Sequence, residues 1–328
     1  MLKNKFVSLR SIIISFVSVT IAFCLSIYLI NNYRYNIDTP MQDIEYKKEI
    51  IKQSYNPFFR LENLRNLVGE KELTEFIKAN DLNPDIYASS TKNRANGLYR
   101  ATLHMHTTNS DGQSTVEQYL DIAQRYAEKF IKDGDYFYIA ITDHNTVLGA
   151  KELIKVLQKA AKKYPKVKVI AGIEVNSKLY STTTANEPVE IHTLVWCINP
   201  YDKDLNKIFY KKNLKDKWNI PEHEPDFEWL VKKMSDYGIP GIAHPATYSD
   251  HLGDRKNAHI DELFDKYKAN TKKIPFAEGF YQTYPSKYYE KNNEFSDYYA
   301  YIKNTAKSKG IIRTGSQDSH GLTLFKRF

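Results

Sequence analysis

Cysteine is nearly absent: the 328 residues contain only Cys24 and Cys197. Cys24 lies in an apolar run, so an intramolecular disulfide framework is excluded. Cys197, inside Leu194-Val195-Trp196-Cys197, reads as a buried strand residue. Low-complexity segments and internal repeats are also missing. With 42% hydrophobic and 26% charged residues, the chain is globular rather than disordered. Nor is there an acidic excess, because 47 Lys and Arg face 39 Asp and Glu, a net charge of +8. That balance suits anionic partners such as phosphates, nucleic acid or a membrane surface, or else a set of solvated lysines.

Charge is wholly lacking from Ser11 to Ile30. As a helix this run would span roughly 30 Å, the hydrocarbon thickness of a bilayer. Lys3, Lys5 and Arg10 precede it and Arg34 follows, which favours a cytoplasmic N-terminus. The run is longer than a secretory h-region and has no small-residue cleavage pattern behind it. Phe23 before Cys24 is too bulky for a lipoprotein cleavage site. An uncleaved membrane anchor is expected, with a cleaved signal as the alternative. Either places the body of the protein outside the cytoplasm, as a membrane-anchored or a secreted or periplasmic protein. The expected organisation is a stub and anchor or signal over 1–34, a partly helical spacer over 35–97, and a catalytic domain over 98–328 with an insertion at 199–224.

From Leu98 onward, strand and helix patterns alternate. Ser114-Thr115-Val116-Glu117 carries a capping-box signature and opens a helix to about Lys132. Strands are expected at 136–141, 167–171, 190–195, 239–243, 275–281 and 311–314, with helices at 151–163, 226–237, 260–268 and 296–309. Alternation of this kind argues for a parallel sheet, and this many repeats favour a closed or distorted barrel.

His104 and His106 end the first strand. Residues i and i+2 of a strand point the same way, so two imidazoles converge while Met105 faces the opposite side. Two convergent imidazoles are half a site for zinc, iron or manganese. Asp111 follows in the turn. His144, Glu174, His244, Asp318 and His320 fall at or just beyond later strand ends, with His192 inside its strand. In α/β barrels that face gathers the active-site loops. Six imidazoles and three carboxylates exceed the three protein ligands of a typical catalytic zinc. They suit two or three divalent ions (Zn, Mn or Fe) sharing a bridging carboxylate, for which Glu174 is the natural choice. His223, His251 and His259 are left over and read as surface histidines.

His104-x-His106-x-x-x-x-Asp111-Gly112, Ile141-Thr142-Asp143-His144-Asn145-Thr146 and Gly172-Ile173-Glu174 resemble the motifs of the polymerase-and-histidinol-phosphatase (PHP) family. Glu190-Ile191-His192, Ala243-His244-Pro245 and Asp318-Ser319-His320-Gly321 match its remaining motifs in order, over about residues 98–321. The resemblance implies a distorted (β/α)7 TIM-like barrel, here behind an N-terminal transmembrane helix and helical spacer. It also implies a trinuclear site. One metal would take His104, His106, Glu174 and Asp318, a second Asp111, His144 and His320, and a third Glu174, His192 and His244. The motif spacing looks most like that of stand-alone phosphoesterases acting on nucleotide 5′-phosphates and short RNA ends. The sequence departs from the family at Thr247, where relatives often carry an arginine, and Arg255 or Arg313 are the candidates to hold substrate phosphate in its place. It departs again at Gly315-Ser316-Gln317-Asp318, one residue longer than the usual motif.

The expected activity is that of a metal-dependent phosphoesterase in which a metal-bridged hydroxide attacks phosphorus. Glu174 and Asp318 would be central to it, and Asp143 or another nearby acid could assist the leaving group. An amidohydrolase-like binuclear hydrolase is the alternative, disfavoured because it needs no equivalent of Asp111, His144 and His320. A non-catalytic, membrane-anchored binder of phosphate-bearing ligands would not need the full ligand set. The expected partners are a phosphorylated small molecule or a nucleotide or oligonucleotide end, and the membrane through the N-terminal helix; no protein partner is inferred. Tyr201, Phe209, Tyr210 and Trp218 of the insertion could stack on a base or simply pack the insertion on the barrel.

Overall fold

Seven strands lie side by side in the order in which the chain makes them. They are β1 (Ala101–Thr102), β2 (Phe137–Ile141), β3 (Val167–Leu179), β4 (Val189–Trp196), β5 (Ile239–Ile242), β6 (Phe276–Tyr281) and β7 (Ile312–Ser316). The computed structural model describes residues 61, 64–81, 83, 86–87, 99–180, 188–209, 224–245, 256–281, 293–316 and 318–322. The apolar segment 11–30 lies outside these residues. Among the described residues no helix is long and apolar enough to cross a membrane.

Just past β1 and β7 the two ends of the sheet meet. Met105 bridges Ser319, with His106 N donating to Ser319 O at 2.9 Å and Ser319 N to His104 O at 3.1 Å. The result is a nearly closed, barrel-like α/β sheet. Two features correct the sequence expectation. β4 runs antiparallel to both β3 and β5, while the other neighbouring pairs are parallel. Residues 180–188 are too few for the dozen or so that a parallel crossover requires, so the chain must turn straight back. β3 also runs on to Leu179 instead of ending near Ala171, because its upper half has β4 as a partner.

Among the described residues seven α-helices accompany the strands: α1 (Glu70–Ala79), α2 (Val116–Phe130), α3 (Leu148–Ala160), α4 (Lys203–Phe209), α5 (Phe227–Met234), α6 (Lys256–Asn270) and α7 (Asn293–Ser308). α2 shows why such segments fold as helices. Tyr119, Ala123, Tyr126 and Ala127 repeat at helical spacing and are all buried. Its capping box is real but starts one residue later than expected. Thr115 Oγ1 accepts from Gln118 N (3.2 Å), and Gln118 Oε1 accepts from Thr115 N (2.8 Å). Thr115→Ala is expected to cost about 1 kcal/mol, read as a lowered urea midpoint. Ser114→Ala, were Ser114 the true cap, would produce that loss instead.

Inside the barrel, Trp196 and Phe276 stack with ring centroids 3.8 Å apart and planes 5° apart. Trp196 Nε1 donates to Leu103 O at 3.0 Å. Gly241 passes so close that a Cβ there would sit 2.0 Å from the Phe276 ring. The described part of the expected spacer joins this packing: Val68, Leu73, Ile77, Ile86 and Tyr87 are buried with Trp196, Phe276, Leu103 and Ile239. Residues 66–68 bond along the lower edge of β3, where β4 is absent, through Val68 N to Val169 O (2.8 Å) and Val169 N to Asn66 O (2.8 Å). Tyr87 bridges Ala101 on the free edge of β1. The segment therefore packs at the end of the barrel opposite to the C-termini of the parallel strands.

Candidate metal centre

The polar residues singled out in the sequence gather at the other end. His104 and His106 leave β1 with their Nε2 atoms 3.0 Å apart, while Met105 turns into the apolar layer under α2 and α3. The turn that follows carries Asp111 and is folded tightly: Ser110 N and Gly112 N both donate to Thr107 O at 3.0 Å. Gly112 is required there, because a Cβ would lie 2.1 Å from His106 O. Asn145, just after His144, takes a positive φ of 49°. This lets its N–H donate to Glu174 O at 2.7 Å. Glu174 sits in mid-β3. His192 lies in the first half of β4, which the antiparallel direction brings to the same mouth, opposite Asn176. His244 and Asp318, with φ of 24° and 46°, occupy the bends after β5 and β7.

Glu174 is the hub. Its Oε2 faces His104 Nε2 (2.9 Å), His106 Nε2 (3.2 Å) and His144 Nδ1 (3.2 Å). Its Oε1 faces His192 Nδ1 (3.0 Å) and His244 Nε2 (3.1 Å). Asp318 Oδ1 lies 2.8 Å from His106 Nε2 and 3.4 Å from His104 Nε2. Asp111 Oδ2 is 2.7 Å from His320 Nε2. Three overlapping groups could each hold an ion, every group having its ligand atoms within 4.8 Å of one another: His104, His106, Glu174 and Asp318; His106, Asp111, His144 and His320; and His144, Glu174 and His192. His106 belongs to two of them, and His244 stands beside the third through Glu174 Oε1.

The donor set fits divalent first-row metals. It is built from imidazole nitrogens and carboxylate oxygens, the ligands that zinc, manganese and iron accept. His106 Nδ1 is buried and has no hydrogen-bond partner among the described residues; Asp111 Oδ1 stands 3.7 Å from it, too far for a hydrogen bond.

Electrostatics point the same way. Burial strips protons from imidazoles, yet Glu174, Glu278 and Asp318 outweigh it at His104 and hold its pKa well above the ordinary value. Burial opposes protonation of His106 too, but hydrogen bonds that it donates to Asp318 and Glu174 push its pKa up to about 10. His144 goes the other way, to about 3, because burial prevails over the pull of Glu174. Glu174 itself falls well below the carboxylate range, the surrounding imidazoles overcoming its own desolvation. The pocket thus holds a concentration of negative charge that draws in positive charge, a demand that dications would answer while leaving the imidazoles neutral.

Some expected residues stand elsewhere. Asp143 is buried, and its carboxylate accepts from Thr107 N (2.7 Å), Thr107 Oγ1 (2.8 Å) and Ser110 Oγ (2.7 Å). Through these bonds it braces the turn carrying Asp111, and burial raises the pKa of its carboxyl. Arg313 does not face the mouth: its Nε and Nη2 pair with Asp81 at 3.0 and 2.7 Å, tying β7 to the end of α1. Arg255 lies outside the described residues, as do His223, His251, Tyr210 and Trp218. His259 is not a surface residue; it is wholly buried on α6. Tyr201 and Phe209 pack on the layer around α3.

Two carboxylates went unread in the sequence. Glu278 on β6 is 1% exposed, with Oε1 at 3.1 Å from His104 Nδ1 and Oε2 accepting from His244 N at 2.7 Å. Glu190 lies 2.9 Å from His192 Nε2 and accepts from Asn176 Nδ2 at 2.6 Å. The one available signal for Glu278 was a charge inside the apolar strand Phe276-Ala277-Glu278-Gly279-Phe280.

The PHP domain family matches residues 102–312. The match ends before Asp318 and His320, which the geometry places in the cluster. No curated protein matches the chain.

Proposed function

Since the chain belongs to the PHP domain family of metal-dependent hydrolases, we propose that it is a phosphoesterase acting on terminal phosphate groups. The observation that carries this reading is the division of Glu174 between two sides. One carboxylate oxygen serves His104, His106 and His144, and the other serves His192 and His244. Such an arrangement suits adjacent ions held by a shared ligand. Asp111, His144 and His320 add a further group that a binuclear amidohydrolase-like centre does not need.

Bound divalent metal would supply Lewis acidity toward phosphoryl oxygens and lower the pKa of a bound water. The residues of the chain do the rest. Asp318 and Glu174 keep His104 and His106 aimed inward. Asp143, through Thr107 and Ser110, holds the turn that presents Asp111. The buried walls exclude bulk water, which strengthens every charge interaction within. A terminal phosphate offers three non-bridging oxygens to such a cluster, and an internal diester only two. With Arg313 bound to Asp81, the metal-loaded cluster would be the described group best placed to meet the phosphate charge.

The substrate test uses metal-loaded full-length protein against phosphomonoesters, 5′- and 3′-nucleotides, linear oligonucleotides and circularised single strands. Monoesters or strand ends should be hydrolysed and circles should resist. Efficient cutting of circles with monoesters untouched would show an endonuclease and defeat the proposal.

A further inference from the structure

We propose that Glu278 is a positioning residue that sets which ring nitrogen of His104 carries the proton and locks the backbone of His244, so that the metal affinity of the centre depends on it. The inference rests on the reading of the cluster as a metal centre and adds to it a residue that touches no metal.

A carboxylate buried inside a barrel strand is costly unless both oxygens are satisfied. Those of Glu278 are, and by two different parts of the centre. His104 Nε2 points at Glu174 Oε2 and Asp318 Oδ1, so Nε2 is the nitrogen that must offer a lone pair. The proton then belongs on Nδ1, where Glu278 Oε1 waits at 3.1 Å. A carboxylate on the far nitrogen of a metal-binding imidazole fixes tautomer and ring angle and raises basicity. Glu278 Oε2 meanwhile accepts from the backbone N–H of His244 at 2.7 Å. His244 is bent to a φ of 24° just before Pro245, a conformation that needs an anchor, and its Nε2 meets Glu174 Oε1 at 3.1 Å. One side chain thus directs two imidazoles onto opposite oxygens of the hub. The β6–β7 register shifts immediately after Glu278. Irregularities of this kind re-aim side chains beside functional sites.

Both partners of Glu278 are donors, so the position demands two acceptors. Glutamine has the same shape but one acceptor and one NH2 group. In Glu278→Gln, either His244 N–H faces an amide donor or His104 must shift its proton to Nε2 and lose the lone pair aimed at the metal.

The test compares wild type and Glu278→Gln as metal-stripped, full-length protein titrated with Zn2+. Ring-nitrogen protonation of His104 is followed by long-range 1H–15N spectroscopy. We expect Glu278→Gln to bind Zn2+ about 10–100-fold more weakly and to show altered protonation at His104. Wild-type affinity in the variant would overturn the proposal. So would weakened binding with the His104 nitrogens unchanged, which would signal structural damage alone. Should Glu278→Gln fail to fold, Glu278→Asp decides by the same readouts. It keeps the charge but is too short to reach both donors, so wild-type affinity there also overturns the proposal. If wild type binds Zn2+ and Glu278→Gln weakens it but no phosphate ester is hydrolysed, the phosphoesterase reading falls and this inference stands. If wild type takes up no Zn2+, both fall.

Discussion

Glu174→Ala is expected to abolish hydrolysis, by roughly 10³-fold or more, since several kcal/mol of transition-state stabilisation disappear with the metal cluster. Both oxygens of Glu174 are engaged, by five imidazoles in total, and no other described carboxylate reaches both sides. Metal content should fall with activity. In wild type, a metal at 100 times its Kd stabilises the fold by ~2.7 kcal/mol. Chelation should therefore lower the melting temperature of wild type and leave that of Glu174→Ala nearly unmoved. Protons compete with metal for the imidazoles, so the metal-dependent part of wild-type stability is present at neutral pH and lost as pH falls. His259→Ala is the control. It removes a buried side chain on α6, outside the cluster, so it should reduce stability without changing metal stoichiometry. Equal metal content and activity in Glu174→Ala and wild type would refute the assignment of the hub.

The second large effect lies beneath the centre. Trp196→Ala should cost ~3–5 kcal/mol through the cavity it leaves against Phe276. A further ~1 kcal/mol should follow from the lost bond to Leu103 O. Against a typical total of about 5–15 kcal/mol, that is a large share of the stability. Leu103 precedes His104, so the loss should also loosen the first ligand pair and weaken metal binding. Trp229→Ala supplies the comparison, because Trp229 is 50% exposed and should change stability by no more than ~0.5 kcal/mol. Urea unfolding midpoints decide between them: similar midpoints for the two variants would show that the stacked pair does not hold the barrel interior together.

The convergence of His104 and His106 could be read from the sequence because a two-residue period carries its own geometry. So could the gathering of His144, Glu174, His244, Asp318 and His320, since each follows a recognisable apolar strand. The reversed direction of β4 was harder to see. His192 lies inside its strand and reaches the mouth because β4 runs in reverse, for which the shortness of the 180–188 connection is the cue in the sequence. Glu278 escaped because a single carboxylate between Ala277 and Gly279 does not announce that both its neighbours across the barrel are donors. The capping box was displaced by one residue because Ser114–Glu117 and Thr115–Gln118 satisfy the same spacing rule, and only backbone geometry chooses. His259 and Arg313 show a shared limit: burial and pairing are set by residues distant in sequence, here Asp81 for the arginine.

The seam between Met105 and Ser319 also bears on how the chain reaches its native state. Tyr119 OH donates to both His106 O and Ser319 O, across a sequence separation of 200 residues in the second case. Contacts so far apart are formed late, because closing the loop is entropically costly before it brings any gain. During synthesis His104 and His106 emerge well before Asp318 and His320. The cluster can be completed only after β1 and β7 have met. Metal capture would therefore mark the last step of barrel closure, and stable occupancy would report that the barrel has closed.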